Sequence, residues 1–164
     1  MNYNRILTIQ DISCIGQCSL TVALPILSAF GIEACILPSA ILSTHTAGFK
    51  GFTCYDFSEE MQKISFHWEK EKIHFDAFYT GYLLNEEQIR IINDIFTKFG
   101  NINTKKIIDP VMGDYGKLYP GFDLKFVKTM KNICLNKILL FQILQKLVFL
   151  PNMNIRKFMT KIIF

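Results

Sequence analysis

Short apolar runs and longer amphipathic ones alternate along most of the chain. Arg5 to Gln10, RILTIQ, is a β-branched run that ends in polar residues and Gly16, which predicts a buried strand followed by a loop. Ser19 to Phe30, SLTVALPILSAF, is apolar at helical spacing, opens on a capping-type Ser and closes on Gly31, so it predicts a helix kinked at Pro25. Glu33 to Pro38 reads as a second short strand, and Ser43 to Thr53 as a polar, glycine-containing loop. From Phe57 onward SEEMQKISFHWEKEK has helical charge spacing, after which FDAFYTGYL reads as strand plus loop. Asn85 caps the predicted helix EEQIRIINDIFTKF, which Gly100 ends, and Lys105 to Asp109 is the next strand, stopped by Pro110.

Strands that alternate with helices about every 35 residues predict an α/β fold with a mainly parallel sheet covered on both faces. In such sheets ligands sit beyond the carboxyl ends of the strands. The loops Gln10 to Gln17, Ser43 to Thr53, Thr80 to Tyr82 and Asp109 to Lys117 are therefore where function is expected.

Composition fits one globular unit: 164 residues, 50% hydrophobic and 20% charged, which excludes a disordered or collagenous class. The net charge of +4 is confined to one end. All 14 acidic residues and all nine glycines lie in residues 1–137, whereas Lys146, Arg156, Lys157 and Lys161 face no acid after that point. The body is neutral and gives no footprint for nucleic acid. The five cysteines are odd in number and scattered, unlike a secreted disulfide framework, and no histidine has zinc-site spacing to Cys14 and Cys18. The N-terminal apolar run is too short for a signal peptide, so a cytoplasmic location is expected.

Two segments carry candidate chemistry. In IIDPVMGDYGKLYPG, Asp109 sits at a strand end, where a carboxylate can hold hydrated Mg²⁺ against phosphate oxygens; the alternative is an Asp that caps a turn before Pro110. STHTAGFKG offers hydroxyls, an imidazole and backbone donors to a polar small ligand, or is an ordinary polar turn. Neither GxGxxG nor a P-loop occurs, and His67 and His74 read as structural or surface residues.

Four motifs, ILTIQDISCIGQ, LSTHTAGF, YTGYL and DPVMGDYGKLYPG, resemble in order and spacing those of the pyridoxal kinases, members of the ribokinase-like superfamily, across residues 5–134. The resemblance implies a three-layer ribokinase-like fold, incomplete at its C-terminal half. It implies ATP-dependent, Mg²⁺-assisted phosphorylation of the 5′-hydroxymethyl group of pyridoxal, pyridoxine or pyridoxamine, by proteins that commonly form homodimers. Carried over by position, Ser43, His45, Thr46 and Tyr82 lie beside the pyridine substrate, and Asp109 lies near Mg²⁺ and the ATP phosphates. Asp11 stands where many relatives have a ring-binding Ser, with Ser13 close by, and Ala47 stands where Gln often follows the loop's Thr. The family's glycine-rich anion hole and catalytic Asp have no counterpart, so no catalytic base is assigned.

Residues 138–164 depart from the family pattern. Relatives continue with a segment of the form VPNxTEAxFL; Ile138 to Leu150, back-translated and read two bases later, can encode ITVPNITEACFL. The expectation is a family half over residues 1–137 followed by out-of-frame peptide. As a helix the apolar stretch Ile138 to Leu150 spans only about 20 Å, short of a roughly 30 Å bilayer core, which argues against a membrane anchor. A non-enzymatic truncated product and a flavodoxin-like binding module are the competing readings.

Overall fold

The computed structural model describes residues 4–114, 116–135 and 139–140. In chain order the elements are β1 (Arg5–Ser13), α1 (Leu20–Ala29), β2 (Glu33–Leu42), β3 (Cys54–Asp56), α2 (Ser58–Lys70), β4 (Ala77–Thr80), α3 (Glu86–Phe99), β5 (Lys105–Ile108), β6 (Gly113–Asp114), β7 (Lys117–Leu118), α4 (Leu124–Leu135) and β8 (Leu139–Leu140). The main sheet runs β3-β2-β1-β4-β5-β8, parallel throughout except for the antiparallel edge strand β3. β6 and β7 form a separate antiparallel pair. This is the expected mainly parallel α/β architecture.

β1 lies inside the sheet and is buried on both faces: Leu7 and Ile9 point to one side, Thr8 and Gln10 to the other, and none is more than 4% exposed. On the first side Leu7, Ile9, Leu37, Phe78 and Ile108 join the core with α3 and α4. The apolar stripe Ile89, Ile92, Ile95, Phe96 and Phe99 explains why α3 forms and which face it buries. Phe78 meets Phe96 with ring centroids 4.8 Å apart, and Phe75 bridges Phe78, Phe99 and Trp68 in edge-on contacts. α1 covers the opposite side, against Thr8 and Gln10, and so completes three layers.

Several local readings are refined. β1 and β2 both run further than RILTIQ and Glu33 to Pro38, and β3 and the β6–β7 hairpin were not expected. Ser19 does not cap α1 through its side chain, because its backbone has φ 52° and ψ −127°. Thr21 closes that turn instead, accepting from the Cys18 N–H and donating to the Cys18 carbonyl. Asn85 caps α3 as read, accepting from the Gln88 N–H at 3.0 Å. Among the described residues no helix is long and apolar enough to cross a membrane. The reading of 138–164 as foreign peptide lies outside the described residues, apart from Leu139 and Leu140, which pair with Ile107 and Ile108.

Candidate functional site

The winding of the sheet reverses between β1 and β4, since β2 follows β1 on one side and β4 and β5 lie on the other. A crevice forms where strand connections diverge in this way, at the carboxyl ends. Main-chain bonds fix its loops: Gly81 N–H to Ile9 O at 3.0 Å, Asp109 N–H to Thr80 O at 2.9 Å, and Cys14 N–H to Leu42 O at 2.8 Å.

Five of the residues assigned from sequence, Asp11, Ser13, His45, Thr46 and Tyr82, line one small cavity of about 100 Å³ there. Asp11 is 2% exposed and accepts a 2.9 Å hydrogen bond from the Ser13 hydroxyl. His45 is held by its own N–H to Ile15 O at 3.1 Å and by the Ala47 N–H, which donates to Nδ1 at 3.2 Å. Gly16, at φ 99°, lets the imidazole approach: a Cβ there would lie 2.0 Å from His45 Cδ2. Burial, with Cys54 and Asp11 nearby, pushes the Tyr82 phenol up to about 12, so it is a protonated donor at neutral pH.

Ser43 is not among the cavity's lining residues. Its hydroxyl instead accepts the Thr53 N–H at 2.9 Å and closes the loop that carries His45 and Thr46. Asp109 lines an adjoining groove of about 470 Å³ beneath α1, which shares Ser19, Tyr82 and Val111 with the smaller cavity. Beside it, burial and the Asp109 carboxylate raise the Tyr79 phenol. Gln10 hydrogen-bonds that phenol and donates to Thr8 Oγ1 at 2.8 Å. Gly81 allows this amide to pass, since a Cβ there would lie 2.6 Å from Gln10 Oε1.

Sequence reasoning missed both lining residues and supports. Cys18 and Tyr119 also line the small cavity. Tyr119 lies within the DYGKLYPG run, so its neighbourhood was marked though its role was not. Gln88, fully buried at the start of α3, donates to Ser39 O at 2.7 Å and to Asp56 Oδ1 at 2.9 Å while accepting the Leu84 N–H at 2.9 Å. Burial opposes the charge on Asp56, but hydrogen bonds from Ser58, Gln88 and Asn85 outweigh it and hold the carboxyl below its ordinary range. This network fixes the loop that presents Tyr82.

Among the described residues no group of three or more His, Cys, Asp or Glu side chains could hold a metal alone. A lone carboxylate at a strand end still suits Mg²⁺, which takes few protein ligands and completes its shell with water and phosphate.

No family model matches the chain. It is 35% identical over 98 residues to a putative pyridoxal kinase of Saccharomyces cerevisiae, covering 54% of this chain and 29% of that one. The fold is similar to the crystal structure of a putative phosphomethylpyrimidine kinase from Bacteroides thetaiotaomicron, with TM-score 0.82 and 40% identity over 85% of this chain and 48% of that one. A second crystal form of that protein contains pyridoxal. Pyridoxal kinase from Lactobacillus plantarum aligns with TM-score 0.75 and 32% identity, over 80% of this chain and 47% of the other. The chain thus spans about half the length of these solved structures and less than a third of the curated yeast relative.

Proposed function

We propose that this chain, which is related to the pyridoxal kinases and has their ribokinase-like fold, carries the vitamin B6 half of a kinase site whose reaction is ATP-dependent phosphorylation of the 5′-hydroxymethyl group of pyridoxal, pyridoxine or pyridoxamine. The observation that supports it is the convergence of Asp11, Ser13, His45, Thr46 and Tyr82 on one cavity at the switch point of the sheet. These residues come from three separate segments of the chain.

In this reading the cavity binds the pyridine ring by hydroxyl, phenol and imidazole contacts, while Tyr82 and Val111 lead to the groove that holds Asp109. Asp109 would hold Mg²⁺ and face the ATP phosphates. Held there, the ion would supply positive charge against the phosphates. Phosphoryl transfer depends on positioning and electrostatics, and no residue of this chain is assigned as the base for the substrate hydroxyl. A cytoplasmic location, a homodimer, and the lack of nucleic-acid or membrane partners belong to the same reading and rest on the resemblance and the neutral body. So does the boundary at residue 137, for which sequencing the coding DNA is the test.

Calorimetric titration of the full chain with pyridoxal tests the proposal, followed by an assay for pyridoxal phosphate with ATP and Mg²⁺. Saturable binding that weakens in Tyr82→Ala is expected. Absence of binding by any B6 vitamer would overturn the reading, and binding without product would mark the chain as the catalytically inactive fragment.

A further inference from the structure

We propose that Asp11 makes the small cavity selective for a protonated nitrogen heterocycle, its carboxylate accepting the ring N–H⁺ while Ser13 holds it in place. The inference rests on the vitamin B6 reading, and it names the form of ring the site takes.

A carboxylate that is 2% exposed is costly unless a cation or strong donors meet it. Among the described residues its side-chain hydrogen bond comes from one neutral group, the Ser13 hydroxyl at 2.9 Å. Among the described residues the cavity around it presents Cys18, His45, Tyr82 and Tyr119, and no Lys or Arg lines it. From β3, Cys54 is close enough to interact electrostatically with Asp11, but a thiol brings no positive charge. A carboxylate that faces a cavity and meets no cationic side chain among the described residues favours an occupant that supplies the positive charge.

Group chemistry sharpens the choice. A hydroxyl can donate or accept and so serves a ring nitrogen whether or not it is protonated. An ionised carboxylate only accepts, so it pairs with the protonated ring and is repelled by the lone pair of the neutral one. Ser13 fits a positioning role: its donated bond fixes Oδ2 and leaves the carboxylate free to accept a second donor.

The test is calorimetric titration of the full chain with pyridoxal and with its analogue bearing C–H in place of the ring nitrogen. The unmodified chain should prefer pyridoxal by roughly 10- to 100-fold, the range of one charge-assisted hydrogen bond. Asp11→Asn should reduce that preference to about threefold or less, and Ser13→Ala should reduce it in part, with circular dichroism reporting the fold of each. Equal affinity of the unmodified chain for the two compounds overturns the inference, as does an undiminished preference in folded Asp11→Asn; in either case pyridoxal binding leaves the vitamin B6 reading standing. If no vitamer binds but the pyridinium ion does, in an Asp11-dependent way, the vitamin reading fails and the selectivity stands. Binding of neither overturns both.

Discussion

The hydroxyl of Ser39 donates to the main-chain carbonyl of Tyr82 at 2.7 Å, across 43 residues of sequence. Ser39 lies in β2 and is fully buried, so this bond ties the Tyr82 loop to the sheet rather than to solvent. Gln88 takes the Ser39 carbonyl in turn and reaches Asp56, so the site's phenol is positioned by three polar residues outside the cavity lining.

Replacing Gln88 with Leu removes bonds to Ser39, Leu84 and Asp56 and leaves buried polar groups without partners. A loss of about 2–3 kcal/mol is expected. Urea unfolding should show a lower midpoint at unchanged slope, since the exposed surface hardly changes.

Asp56 gives an acid-side signature. Its carboxyl is held below the ordinary range, so its contribution is present above the unfolded value of about 3.9 and is lost as pH falls through the lower folded value. Asp56→Asn should therefore be less stable than the parent at neutral pH, and the gap should narrow in acid. Unfolding midpoints measured from about pH 7 down to about pH 2 read this directly.

Gly16→Ala places a methyl group 2.0 Å from His45 Cδ2 on backbone at φ 99°. Backbone strain of about 1–3 kcal/mol is expected together with displacement of the imidazole. Pyridoxal binding should weaken about tenfold, equivalent to about 1.4 kcal/mol. Adding His45→Ala to this variant should relieve the steric part of the stability loss and leave the backbone part.

The Tyr82 phenol, pushed up to about 12, contributes to the loss of stability in alkali, alongside the buried Cys134 thiol, which burial likewise pushes up to about 12. Folding favours its protonated form, so its contribution is complete below the unfolded value of about 10 and is lost as pH rises through the folded one. Tyr82→Phe should reduce the fall in stability between about pH 10 and 12, and ultraviolet difference titration should lose one late-ionising phenol and keep that of Tyr79.

What could be read from sequence depended on whether the signal was local. α3 was legible in full because a cap, a stripe of Ile and Phe and a terminal Gly all agree over Asn85 to Gly100. β2 was cut short at Pro38, a usual strand stop. In the structure Pro38 pairs with Gln10 beside a register slip and precedes Ala40, where β3 begins to pair, so the ladder accommodates its missing N–H. β3 left no pattern, being three exposed residues at a sheet edge. At the site, Asp11, Ser13, His45, Thr46 and Tyr82 were found through motifs, and Ser43 lay in the same motif but serves its own loop. Gln88 and Asp56 gave no signal in the sequence, because the partners that bind them, and that bury Gln88, come from β2 and from distant loops.

The interior place of β1 has a consequence for biosynthesis. The partners of β1, Glu33–Leu42 and Ala77–Thr80, both follow it in the chain, so during synthesis neither of these two edges can be covered when β1 emerges and both cannot be until residue 80 has been made. Ile6 to Ile9, the stretch paired on both sides, therefore waits for about 70 further residues to be made as an open, apolar edge. Protection of the nascent chain over that interval is a requirement set by strand order, independent of any ligand.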